Sequence, residues 1–162
     1  MATHPVSDDK VVMSKWTAVS PFGLGADPLI AGLAAGRTAV TALDRATWPG
    51  PFARAALIPG FNVAEVLGAK GTRAMDRLTG IVVATVGRLL DESGLWNGDG
   101  DGGPVSADEV GLVLGTSGSV QSIWDFTWDT FTGAKPYHVD PARFPNGLMN
   151  RPAGQSAIWY GL

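Results

Sequence analysis

Residues 72–95 constrain the fold more than any other stretch of this chain. Ala74, Met75, Leu78, Ile81, Val82, Thr85, Val86, Leu89 and Leu90 recur at helical spacing, and Gly94 follows as a C-terminal cap. The spacing predicts one long helix. Its apolar stripe is too broad for a helix resting on a single neighbour, so cover is expected on more than one side. With 162 residues the chain is long enough for one domain with a core, and two would be cramped.

The elements around that helix follow from local signals. Residues 11–20 (VVMSKWTAVS) have β-branched residues at both ends and are stopped by Pro21-Phe22-Gly23, which predicts a strand and a turn. Asp27 is expected to cap a short helix with Pro28 at its first position, running to Gly36 and Arg37. Residues 41–62 carry Pro49, Pro51 and Pro59 without a sustained period and read as a packed, irregular loop. Residues 97–104 (NGDGDGGP) read as a flexible loop, and residues 1–10 as a frayed terminus. The continuous apolar run at 109–116 (EVGLVLGT) predicts a short strand covered on both faces. Ser119 can cap the next helix, which Gly133 ends. Residues 144–162 begin as an irregular Pro/Asn/Gly segment, then form a helix that Pro152 opens and Gly161 closes. Strand, helix, strand and helix with long crossovers predict an α/β fold with a parallel sheet.

Charge and composition exclude several functions. A net charge of -3 and no clustered Lys/Arg run argue against nucleic acid and against an anionic membrane surface. No apolar run approaches the about 20 residues needed to span a bilayer. The polar MATHPVSDDK terminus lacks a signal-peptide core, so a cytoplasmic location is expected. There is no Cys, hence no disulfide, thiolate metal site or Cys nucleophile on this chain, and two His support no metal centre. No cofactor is expected. Six Trp and six Phe in a weakly charged chain imply apolar surface that something covers.

Candidate chemical motifs weaken on inspection. Gly98, Gly100 and Gly103 have dinucleotide-fingerprint spacing, but they follow a helix, and Asp99 and Asp101 would repel a pyrophosphate. Asn97, Asp99, Asp101, Gly102 and Asp108 fall at calcium-loop offsets, with Pro104 inside the loop and Asp in place of the usual bidentate Glu. Ser117 sits in a Gly115-Thr116-Ser117-Gly118-Ser119 turn like a nucleophile elbow, yet Ser119 stands where a glycine is required. Ser117, His138 and Asp140 make a triad on paper, against the plainer reading of a surface His beside an Asp. Trp124 and Trp128, four apart with Phe131 near the same face, fit either a core face or a subunit interface.

Several separated segments together resemble the N-terminal half of a β-ketoacyl-ACP synthase, of the thiolase-like superfamily. Val11-Val12 with Val19-Ser20-Pro21-Phe22-Gly23, then residues 33–37, resemble its first strand and Ser-Pro-x-Gly turn. Residues 73–77, ending at Asp91-Glu92-Ser93-Gly94-Leu95, resemble its first core helix, and residues 110–117 its second core strand. Asn150, Ala153-Gly154-Gln155, Ile158 and Tyr160-Gly161-Leu162 resemble the helix before the nucleophile strand. The chain departs from the pattern at residues 14–17, where Ser-Lys-Trp-Thr replaces a Gly-x-Gly. It departs again at Gly118, where a larger gate residue is common, and at Arg151-Pro152.

The resemblance implies a single partial domain over 1–162, the strand-helix-strand-helix portion of the first βαβαβαββ unit. A partner chain would complete it, carrying the nucleophilic Cys and two His, with an acyl carrier protein as a further partner. No catalytic residue falls on this chain. Gly118, Phe144, Gly147, Met149 and Asn150 are the expected acyl-tunnel or substrate-binding positions. Trp124, Trp128, Ile158 and Trp159 are the expected interface positions. The implied activity is decarboxylative Claisen condensation in polyketide or fatty-acid-type biosynthesis, with this chain as scaffold and tunnel wall. The alternative is a non-catalytic subunit of pseudo-ketosynthase or chain-length-factor type.

Overall fold

The computed structural model describes residues 10–95, 104–116 and 120–162. Two short antiparallel hairpins and five α-helices make up most of the regular structure. Val19–Ser20 (β1) pairs with Gly23–Leu24 (β2), and Thr41–Ala42 (β3) pairs with Arg54–Ala55 (β4). The helices are Ala26–Ala34 (α1), Val63–Leu67 (α2), Arg77–Ser93 (α3), Val120–Thr132 (α4) and Arg151–Tyr160 (α5).

The long helix forms with local punctuation at both ends. Asp76 caps α3, its carboxylate accepting from the Thr79 N–H at 2.8 Å, and Gly94 closes it in the left-handed region at φ 66°. It starts later than the apolar pattern suggests, because Thr72 begins a separate turn. The Thr72 hydroxyl donates to the carbonyls of Gly68 and Ala69.

The buried stripe of α3 also differs from the expected one. Thr79, Gly80, Val83, Ala84 and Gly87 are buried, whereas Leu78, Ile81, Val82, Val86 and Leu89 are half-buried. Small residues line the contact because neighbours come in close. A Cβ on Gly80 would stand 2.3 Å from Cγ2 of Val63 on α2. One on Gly87 would stand 2.0 Å from the Tyr160 hydroxyl of α5. Tyr160 donates to the Val83 carbonyl at 2.9 Å, so its ring is fixed over the glycine. Along α5, Pro152 and Ser156 are buried, and Pro152 and Gly161 open and close the helix as expected.

Burial pushes the Tyr160 phenol above the ordinary tyrosine range, and the Asp91 carboxylate adds to the shift. The fold therefore favours the neutral phenol. Above about pH 10 the unfolded chain releases this proton first and binds fewer protons than the folded one. This contribution to stability is complete below about pH 10 and is lost as pH rises through the folded value. Tyr160→Phe is expected to flatten the alkaline limb of stability measured by urea unfolding. An unchanged slope in the variant excludes Tyr160 as its source.

Several expectations need correction. Gly25 occupies the cap position of α1, which leaves Asp27 in the first turn and Pro28 behind it; Asp27 makes no cap bond. Residues 41–62 contain the β3–β4 hairpin, and Asn62 caps α2 by accepting from the Ala64 N–H. Among the described residues there is no parallel sheet. Of residues 11–20, only Val19–Ser20 is paired, in a hairpin. Ala107–Glu109 forms a 3-10 turn closed by a Ser106–Glu109 capping box. Beyond it, residues 110–116 alternate half-buried and exposed, with Val113 96% exposed. One face is thus partly covered, in place of two. Among the described residues, 110–116 form no strand of a sheet, and cover on both faces of a strand requires a sheet. The expected frayed terminus and Gly/Asp loop fall largely outside the described residues, as does Ser119.

The surface carries the same message. It totals 11571 Å² for a 16.8 kDa chain, against about 7,700 Å² for a compact monomer of that mass. Val83 and Ala84 are the buried hydrophobic residues among those described, while Val11, Met13 and Phe52 stand open. No helix of the described residues is long and apolar enough to cross a membrane.

Candidate functional site

The segment between α4 and α5 holds most of the expected substrate-binding positions. It is built from Pro-rich 3-10 turns, because Pro136, Pro141 and Pro145 prevent a continuous helix. The Asp140 carboxylate caps the Pro141–Gly147 turn by accepting from the Ala142 N–H at 2.9 Å. That turn lies against α4. Phe144 meets Phe126 edge to face with ring centroids 5.8 Å apart. Gly147 backs onto Ile123, where a Cβ would stand 2.7 Å from Cδ1.

Polar ties hold α3, α4 and this turn together. Ser122 on α4 donates to the second Asp76 carboxylate oxygen at 2.6 Å. The Asn146 amide donates to the Ala74 carbonyl at 3.0 Å. Arg143 bridges to Asp129 on α4. Asp76 is therefore bonded on both oxygens, to its own helix and to α4. An Asp before an apolar run is a helix-start signal, so its capping role was open to sequence reasoning, but its bond to Ser122 was not.

The expected site residues thus separate into two groups. Phe144 and Gly147 pack together on the inner face of α4. Met149 is 73% exposed, and Asn150 stands at the start of α5, its carbonyl accepting from the Gly154 N–H. Gly118 lies outside the described residues. Of the expected interface positions, Trp124, Trp128 and Ile158 are exposed. Trp159 is half-buried over Gly71, where a Cβ would stand 3.0 Å from its ring.

A cavity of about 650 Å³ opens at the end of α4, lined by Asp129, Lys135, His138, Asp140 and Arg143 among others. A smaller apolar one of about 190 Å³ lies at the end of α3 between Leu89, Leu90, Leu95, Val105 and Val110. Of the expected tunnel residues, none of those described lines either cavity. The paper triad also comes apart here: Ser117 is outside the described residues, the Asp140 carboxylate serves as a turn cap, and the His138 ring packs edge-on to Tyr137. No cluster of three or more potential metal ligands occurs among the described residues, and four of the five calcium-loop positions lie outside them.

No family model matches the chain, and no curated protein does. A solved structure does: the ishigamide ketosynthase/chain length factor, at a TM-score of 0.71 and 32% identity. The match covers 93% of this chain and 41% of that one, so this chain spans less than half the neighbour's length. With 32% identity over nearly its whole length and a common fold, the chain is ketosynthase-like in the part of the architecture that it spans.

Proposed function

We propose that the chain is a ketosynthase-like subunit of a condensing assembly that builds polyketide-type acyl chains. The observation that carries this reading is the 32% identity to a ketosynthase/chain length factor across 93% of the chain. Complementary polypeptide supplies the Cys nucleophile and two His. The acyl group passes from a carrier-protein thioester to that Cys. A malonyl unit loses CO₂, and the resulting enolate attacks the Cys-bound thioester, forming the new C–C bond as the C–S bond breaks and the Cys thiolate leaves.

This chain contributes no nucleophile; it contributes shape. The α3–α5 pair is the platform, and Phe144 and Gly147, set on α4, form a wall of the acyl channel together with Gly118, Met149 and Asn150. The neighbour's name joins two roles, and a chain-length-factor role fits the same observation. The two roles separate experimentally. The assembly is incubated with acyl-loaded and malonyl-loaded carrier protein, and products are read by mass. Phe144→Ala is expected to lengthen or broaden the product distribution by at least one two-carbon unit while condensation continues. Loss of all condensation with unchanged assembly contradicts the wall role, and no condensation by the unmodified assembly contradicts the enzyme reading.

A further inference from the structure

The Pro141–Gly147 turn is bordered by open space. Besides the cavity of about 650 Å³ at the end of α4, one of about 330 Å³ lies between Arg73, Met75 and Ala142. A third, of about 190 Å³, is lined by Asp76, Ser122, Asp125 and Asn146. Arg143 borders all three. Close packing fixes a side chain by leaving it no room. Around this turn there is room, so directional contacts do the fixing.

Two consecutive residues of the turn reach α4 one helical turn apart. Arg143 pairs with Asp129, and Phe144 meets Phe126 edge to face. The ion pair therefore helps to set where Phe144 stands along the helix. A second carboxylate is within the same reach. Asp125 precedes Asp129 by four residues, so the two share a face of α4 and lie about 6 Å apart along its axis. Gln121 donates to Asp125 Oδ1 at 2.7 Å, and Asp125 forms no ion pair among the described residues. It lines the 190 Å³ cavity together with Arg143.

We propose that Asp129 and Asp125 are two alternative seats for Arg143, and that the seat it fills positions Phe144 and so selects the length of acyl chain accepted. The inference rests on the wall role of Phe144 given above, and Arg143 acts as a positioning residue. Its guanidinium fork fits either carboxylate. In the Asp129 seat, Phe144 rests on Phe126. In the Asp125 seat the turn moves toward the start of α4 and into the smaller cavity, which draws Phe144 off Phe126 and widens the channel. Asn146, bonded to the Ala74 carbonyl, and Gly147, set on Ile123, hold the far end of the turn. Both carboxylates are exposed. Exposed ion pairs shift an equilibrium by only about twofold to fivefold, which suits a selector between two positions and locks neither.

The test is the product mass distribution of the assembly with acyl-loaded and malonyl-loaded carrier protein, beside hydrogen exchange across residues 141–148. Asp129→Asn is expected to raise the ratio of longer to shorter product about twofold to fivefold, and Asp125→Asn to lower it by a similar factor. Arg143→Met, which can take neither seat, is expected to speed exchange in the turn and to make further loss of either carboxylate silent. Opposite shifts from the same substitution at two positions one turn apart cannot come from a general loosening of the turn. Any other pattern, with Phe144→Ala still changing the products, overturns the two seats alone. If Phe144→Ala is also without effect, the wall role falls and the seats fall with it.

Discussion

Replacing Gly87 with Ala is expected to destabilise the chain by about 1–3 kcal/mol, the combined result of overpacking, a lost hydrogen bond and a helix-propensity gain. The added Cβ would lie 2.0 Å from the Tyr160 hydroxyl and 2.6 Å from its ring carbon Cζ. The ring is rigid and its hydroxyl is bonded to Val83, so relief requires the ring to swing out and that bond to break. Overpacking of this kind costs about 1–3 kcal/mol and the lost bond about 1, while Ala returns about 1 through its better helix propensity. For a chain of this length the midpoint of thermal unfolding should fall by about 2–12 °C. Because the hydroxyl makes the closest contact, Gly87→Ala and Tyr160→Phe should be less than additive, with a coupling of about 1 kcal/mol. A neutral or stabilising Gly87→Ala means that α5 does not pack on α3 in this way.

The second large effect is at Asp76. One carboxylate oxygen caps α3 and the other accepts from Ser122 of α4. Asp76→Ala removes both, about 1 kcal/mol for the cap and about 1.5 for the bond to a charged group, for a total near 2–3. Asp76→Asn keeps a cap acceptor but presents an amide toward Ser122, so it should lose about half as much. Combined with Ser122→Ala, Asp76→Asn should cost little more than either change alone. Urea unfolding measures all three. Full additivity would show that the Asp76–Ser122 bond contributes nothing to holding α4 against α3.

Local signals were legible in the sequence, and packing was not. Gly94, Pro152 and Gly161 act through the conformation of one or two residues, and they end or open their helices where the sequence says. The long apolar pattern of α3 gave its existence but pointed to the large side chains as its core. Gly80, Ala84 and Gly87 line that core because Val63 and Tyr160 approach from elsewhere in the chain, and no periodicity encodes that approach. Val110 has the extended conformation that its residue type favours, while residues 111–116 form no strand of a sheet among the described residues. Their pairing was not legible, because a strand's partners lie outside its own sequence. Phe144 and Gly147 were singled out as expected tunnel positions through family likeness alone, and their contacts with Phe126 and Ile123 appear only in three dimensions. The Trp124–Trp128 spacing defined a face without saying whether it turned inward or outward, and the structure turns it outward.

Intact and native mass measurement of the purified assembly tests the central claim most directly. This ketosynthase-like chain, with about 4,000 Å² of surface beyond that of a compact monomer, is predicted to be recovered with ketosynthase-fold polypeptide bearing a Cys. A stable, monodisperse species of 16.8 kDa alone would contradict it.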